Sequence, residues 1–401
     1  MNLLRIITFV IFMLGINIMS QADTQTGSNH EFTIHVPDTV LDDLHSRLKH
    51  TRWPDQVRDS GWDYGTNLDY LKELVAYWAN DFDWRAQEQQ LNSFKNYKVD
   101  IDGIGIHFIH EKSPDKDAIP LLILHGWPSS FVQMLDLIPL LTKPDGDSPS
   151  FDVVVVSLPG YGFSDAFTER GMGMEQIADL MSKLMTEVLG YPRYGLRGSD
   201  LGGTVIQQMA LKYPEQVIGA HLTGIIIPGG MPPPADATPA EQEFLDATTA
   251  MWLTEMSYAR QHSSKPQTLA YGLNDSPAGL SGWIIEKFWK WGDTGGDIES
   301  RFSKDELLTN LTIYWVTESI GPSIRLYYEL VRNRGRTGRV DIPVGMLMTH
   351  KDMFPVAPRE WAERSYNIVH WTEINTGGHF LEWEEPVLVA RDLQEFFKAL
   401  K

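Results

Sequence analysis

Cysteine is absent from all 401 residues, which removes disulfides, thiolate metal sites and cysteine nucleophiles at once. Basic residues are scarce: 34 lysines and arginines face 53 aspartates and glutamates, a formal net charge of −19. Nucleic acid and anionic membrane surfaces are therefore poor partners. There is no P-loop, no dinucleotide fingerprint and no H-E-x-x-H helix, so neither a cofactor nor a metal is expected. Internal repeats and low-complexity tracts are also missing. Long apolar runs are limited to one, at the start. Arg5 is followed by residues 6–18, apolar apart from Thr8 and Asn17, and then by Ser20-Gln21-Ala22. That run is shorter than the ~20 residues that span a bilayer, and small residues stand where a signal peptidase cuts. The expectation is an exported chain, periplasmic or secreted, with a signal peptide over 1–22, a mature start at Asp23 and no membrane span thereafter, the alternatives being an uncleaved anchor or a misread start.

What is present describes a folded protein. Hydrophobic residues make up 42%, charged residues 22% and aromatics 11% of the chain, and the length suggests about two to three structural units. After a polar linker over 23–30, residues 31–117 hold an amphipathic helix in which Leu68, Leu71, Leu74, Val75 and Trp78 share one face. A hairpin follows, 97–101 and 104–110 around Asp102-Gly103. Short apolar or mixed runs at 121–124, 153–158, 194–197 and 219–227 then read as strands, with helical stretches over 174–189 and 203–213. This alternation implies βαβ units around a parallel sheet. Residues 228–332 break the rhythm, Pro-rich at first and then helical and aromatic. Strand signals return at 344–349 and 368–374 before a last helix that buries Val389, Leu393, Phe396, Phe397 and Leu400. The expected organisation is thus an extension over 23–117, a core over 118–227 and 333–401, and a helical cap over 228–332 between the two core parts.

Chemistry concentrates at strand ends. Gly198-Ser199-Asp200-Leu201-Gly202 falls between a strand and a helix, in the pattern of a nucleophile elbow whose central residue is usually serine. Flanking glycines allow a turn tight enough to project the central side chain, here Asp200. Alone, G-x-D-x-G is more often a glycine-rich turn with a capping aspartate. Three companions change that: His125-Gly126-Trp127-Pro128 after one strand, Pro159-Gly160-Tyr161-Gly162-Phe163-Ser164 after another, and Gly377-Gly378-His379-Phe380 before the last helix. Together they follow the chain order of the α/β-hydrolase fold, with an aspartate in place of serine.

With these motifs the chain resembles the microsomal-type epoxide hydrolases, which carry an N-terminal extension before the hydrolase core. The resemblance covers nearly everything after the signal peptide. It rests on Trp53-Pro54 and the 68–78 helix, on the elbow, HGWP and GGHF, and most specifically on Lys265-Pro266, Leu273-Asn274-Asp275-Ser276-Pro277 and Glu286-Lys287-Phe288. It implies a cis peptide at Trp127–Pro128. It makes Asp200 the nucleophile, His379 the base, and Trp127 and Leu201 the donors of oxyanion-hole amides. It points to Asp352 as the acid that orients the histidine, although one extra residue stands before Pro358-Arg359-Glu360-Trp361, which leaves Glu329 and Glu373 in competition. Tyr258 and Tyr327 become the ring-opening pair, with Tyr328 and Tyr161 next in line. The partner implied is a small epoxide; self-association is left open. Two rivals remain at this level. One is a haloalkane or haloacid dehalogenase using the same aspartate, against which Leu201 stands where such hydrolase-fold enzymes commonly place a tryptophan. The other is a hydrolase relative without catalysis that binds a ligand.

Overall fold

The computed structural model describes residues 30–400 except 145, 226 and 228. The proposed signal segment lies outside the described residues. One mixed sheet organises the chain. Its strands are β1 (His30–Glu31), β2 (Asn96–Ile101), β3 (Ile104–Glu111), β4 (Ile119–Leu124), β5 (Phe151–Val156), β6 (Tyr194–Ser199), β7 (Val217–Thr223), β8 (Val340–Thr349) and β9 (Tyr366–Ile374). Their order is β1-β2-β3-β5-β4-β6-β7-β8-β9. Pairing is antiparallel from β1 to β5 and parallel from there onward.

The central strands are apolar without alternation because both faces are covered. Leu121–Leu124 and Val153–Val156 are fully buried. A Cβ on Gly195, Gly219 or Gly345 would strike Phe396, Phe397 or Leu400, so these glycines let the C-terminal helix Pro386–Lys398 lie close on one face. A Cβ on Gly198, an odd number of residues from Gly195, would instead meet Ile206 of the helix Asp200–Lys212 on the other face.

Several sequence boundaries shift. The linker is expected to run through His30, but His30 and Glu31 pair with Lys98 and Tyr97 as an edge strand. The 219–227 strand ends at Thr223, followed by Gly224 in a left-handed conformation (φ 73°) that turns the chain away. The 174–189 helix is α-helical over Met174–Lys183 and closes in a π-turn over Leu184–Val188.

Among the described residues, six α-helices separate β7 from β8: Pro239–Thr254, Ser257–Ser264, Pro266–Asp275, Pro277–Trp291, Lys304–Val316 and Ile320–Arg332. The N-terminal region braces them. The helix Leu68–Asn80 is capped by Asn67, whose side chain accepts from the Tyr70 N–H, and buries the expected apolar face. Trp78 Nε1 donates to Thr312 Oγ1 at 3.0 Å, and Thr66 Oγ1 donates to the Gly282 carbonyl at 2.5 Å. The extension is thereby hydrogen-bonded to two cap helices.

Candidate active site

The strand order reverses about β4, which has β5 on one side and β6 on the other. In open α/β sheets a crevice forms at such a switch point, outside the carboxyl ends of the strands. The loops after β4 and β6 carry the HGWP and elbow motifs, so the topology brings them together. Asp200 sits directly after β6 with φ 49°, a left-handed conformation that a non-glycine residue adopts only where its surroundings enforce it. The glycines supply the space. A Cβ on Gly202 would run into the Leu124 and His125 carbonyl oxygens, and one on Gly126 would overlap the Asp200 side chain.

The Asp200 carboxylate is almost buried. Its Oδ1 accepts from the Trp127 N–H at 2.9 Å, and the Leu201 N–H also bonds to it. Burial lifts this carboxyl above the ordinary range, while His379 and the two amides pull it back. The Trp127–Pro128 peptide is cis. His125, the first residue of the HGWP motif, is structural: its Nε2 accepts the Leu158 N–H at 3.3 Å, tying the loop after β4 to the loop after β5.

His379 follows β9 and Asp352 follows β8, both at carboxyl ends. His379 Nδ1 lies 3.1 and 3.2 Å from the two oxygens of Asp352, and Nε2 lies 3.8 Å from Asp200 Oδ2. Burial opposes the imidazolium, but Asp352, Asp200 and Glu384 outweigh it and raise His379 to about 9. The rival acids are elsewhere. Glu329 accepts from Gly171 N and Asn333 Nδ2, and Glu373 binds His350 and Trp371 at the surface.

Tyr258 and Tyr327 descend from two cap helices and are buried together, ring centroids 6.0 Å apart. Trp127 stacks on Tyr258 at 5.0 Å. Burial holds both phenols well above 10, and for Tyr258 the Asp200 charge is the next largest contribution. Apart from an interaction with the Tyr258 hydroxyl, the Tyr327 hydroxyl has no hydrogen-bond partner among the described residues. The alternatives are committed or remote. Tyr161 OH donates to the Ser323 carbonyl at 3.3 Å, and Tyr328 lies under the Arg332 guanidinium.

Two contributors were given no role in the sequence reading. Glu384 is buried and accepts three N–H groups, those of Asp293 (2.7 Å), Gly378 (2.8 Å) and Phe380 (3.1 Å), and so pins the turn that presents His379. Its place in the first helical turn after a Gly-Gly-His loop, where unpaired amides need an acceptor, was a readable signal. Lys287 stands over the rings of Tyr258 and Trp291 at 5.0 and 5.4 Å and contacts Glu286. The Trp291 contact is an i,i+4 pair on one helix, but nothing in the sequence marks the contact with Tyr258 on another.

Fold and site together define an α/β-hydrolase-fold enzyme with a carboxylate at the nucleophile elbow. The "Epoxide hydrolase N terminus" family matches residues 29–134, and the "alpha/beta hydrolase fold" family matches 119–271. Epoxide hydrolase 1 of Sus scrofa is 34% identical over 95% of this chain and 91% of its own. A Stigmatella aurantiaca protein whose name assigns it to the epoxide hydrolases is 40% identical over 92% and 85%. The crystal structure of juvenile hormone epoxide hydrolase from Bombyx mori superposes with a TM-score of 0.83 at 31% identity, covering 93% of this chain and 94% of that one. The chain belongs to the microsomal-type epoxide hydrolases.

Proposed function

We propose that this epoxide hydrolase works through an alkyl ester on Asp200. The carboxylate attacks an oxirane carbon, the ring C–O bond breaks, and the electron pair stays on oxygen. Tyr258 and Tyr327 hydrogen-bond to that oxygen, and one phenol gives it a proton. The imidazolium of His379 restores the phenol's proton and becomes a neutral base. His379, held by Asp352, then takes a proton from water as the water attacks the ester carbonyl. The Trp127 and Leu201 amides stabilise the oxyanion. Collapse releases the vicinal diol and regenerates the carboxylate and the imidazolium.

The observation that carries this reading is the single Asp200 carboxylate with one oxygen on the Trp127 amide and the other facing a carboxylate-backed histidine. One turnover by excess enzyme in ¹⁸O-labelled water tests it. The diol should be mostly unlabelled, because its new oxygen comes from Asp200. Full label in the first turnover means direct attack by water.

We also infer export, supported by the short apolar run over 6–18 and the small residues Ser20 and Ala22. Intact mass of secreted or periplasmic protein should begin at Asp23. Full-length chain found only in membranes would refute it. Among the described residues, no helix is long and apolar enough to cross a membrane.

A further inference from the structure

Ester hydrolysis consumes one water per turnover, and the cap side of Asp200 is a poor route for it. Tyr258, Tyr327, Trp127 and Trp291 are all buried there, and in the ester that space holds the alkyl group. The opposite side differs. A slot of about 40 Å³ reaches Asp200 between the first turn of its helix (Gly203, Thr204) and the end of β7 (Leu222, Thr223, Gly224). A separate, smaller cavity, also bounded by Thr223 and Gly224, is lined by Asp352. On a scale where one water needs roughly 10–15 Å³, the slot holds about three or four. Its walls offer polar partners: the Thr204 hydroxyl, the Gln207 amide and the Thr223 hydroxyl, whose oxygen already accepts from Arg197 Nη2 at 2.7 Å. Thr204, Gln207, Gly224 and Ile225 are half-buried, so the slot opens to solvent away from the cap.

We propose that this slot is a water site and the inlet for the hydrolytic water, separate from the substrate's path, and that Gly203 keeps it open. The proposal rests on Asp200 being the alkylated residue. Gly203 has a backbone that other residues can adopt. A Cβ there would sit 3.9 Å from the Gly198 carbonyl oxygen and 3.9 Å from Leu222 Cδ2, ordinary contacts. The methyl of Gly203→Ala would therefore fit, and it would point at Leu222, a wall of the slot. Since alanine suits a helix better than glycine, the variant should melt at the wild-type temperature or above.

Stopped-flow single turnover with styrene oxide, read by mass spectrometry of the Asp200 ester, is the test. Gly203→Ala should form the ester within about twofold of the wild-type rate and lose it about tenfold more slowly, so that ester accumulates. Ile225→Trp, which narrows the mouth from the facing wall without touching the elbow, should produce the same split. Wild-type decay of the ester in both variants overturns the slot as the inlet. If Gly203→Ala slows both steps together, Ile225→Trp decides: selective slowing of decay supports the inlet, and unchanged decay rejects it. Absence of any ester on Asp200 in the wild type would instead overturn the mechanism on which the proposal rests.

Discussion

His379 holds Asp352 at 3.1 Å through Nδ1 but stops 3.8 Å short of Asp200 through Nε2. The first contact is a hydrogen bond and the second is not. The histidine thus feels both carboxylates electrostatically while keeping Nε2 free for water. With His379 raised to about 9, the resting enzyme at neutral pH holds an imidazolium, which is not a base. In the proposed mechanism, esterification of Asp200 removes one of the two negative charges that stabilise it, so the imidazole becomes basic only when there is an ester to hydrolyse.

The sign of that coupling is testable. Asp200→Asn removes the same charge without substrate, so the His379 pKa should fall below the wild-type value of about 9. NMR titration of the imidazole in the two proteins reads the shift directly. An unchanged or higher value in Asp200→Asn would mean that Asp200 does not support the charge.

The two half-reactions should also separate by mutation. Ring opening uses no base, so His379→Gln should still be alkylated and should accumulate a stable ester on Asp200, visible by mass spectrometry. A variant with neither adduct nor turnover would remove His379 from the role of base. Asp352→Asn should hydrolyse the ester more slowly than wild type but faster than His379→Gln, since it loses only orientation and charge support. Wild-type activity in that variant would place the acid elsewhere.

The motifs fixed on particular backbone features were legible because a small residue or a local order left no choice. Gly126, Gly198 and Gly202 are glycines because Asp200 and the carbonyls of Leu124 and His125 occupy the space a Cβ would need. The apolar runs Leu121–Leu124 and Val153–Val156 announced strands covered on both faces. Contacts between distant segments were not legible. Asp352 could be separated from Glu329 and Glu373 only once β8 and β9 stood side by side, because all three are single acids near a strand or helix end. Tyr258 and Tyr327 were named through resemblance; their isolation from other partners shows only in three dimensions. The Glu384 bond to the Asp293 N–H and the Lys287 contact with Tyr258 join distant segments, and the two-residue strand β1 is too short for a periodic signal.

Stability should depend steeply on acid. Burial lowers His107 and His262 to about 3, and His110, His125 and His221 to about 4. Each is neutral when folded, whereas the unfolded chain protonates near 6.5. At pH above 6.5 both states are neutral and nothing is lost. As pH falls from 6.5 toward 4, the unfolded state gains protons that the folded state refuses, and stability declines. Chemical denaturation should therefore show midpoints that drop across that window. His107→Asn should lessen the drop, since Nδ1 and Nε2 meet only Ser157 Oγ and Asn96 Oδ1. A flat profile between pH 6.5 and 4 would contradict the buried neutral assignment.

In the proposed mechanism the phenols carry the specificity of the reaction, since an aspartate with a histidine and an oxyanion hole can serve other leaving groups. A halide needs no proton on departure, whereas an oxirane oxygen leaves as an alkoxide still tethered to the substrate. Tyr258 and Tyr327 lie against each other, buried and held protonated well above neutral pH. Nearby Tyr161 and Tyr314 donate to the Ser323 and Ser129 carbonyls and are not free to serve. Tyr258→Phe and Tyr327→Phe should each slow ester formation by roughly 10²–10³, the usual cost of one lost oxyanion donor. Decay of an ester already formed should stay near the wild-type rate, because neither hydroxyl takes part in attack on the carbonyl. The double variant should scarcely alkylate with styrene oxide. Stopped-flow traces with excess enzyme separate the two rates. Purely structural tyrosines would lower the melting temperature and leave alkylation intact, and that result in both single variants would mean that another donor opens the ring.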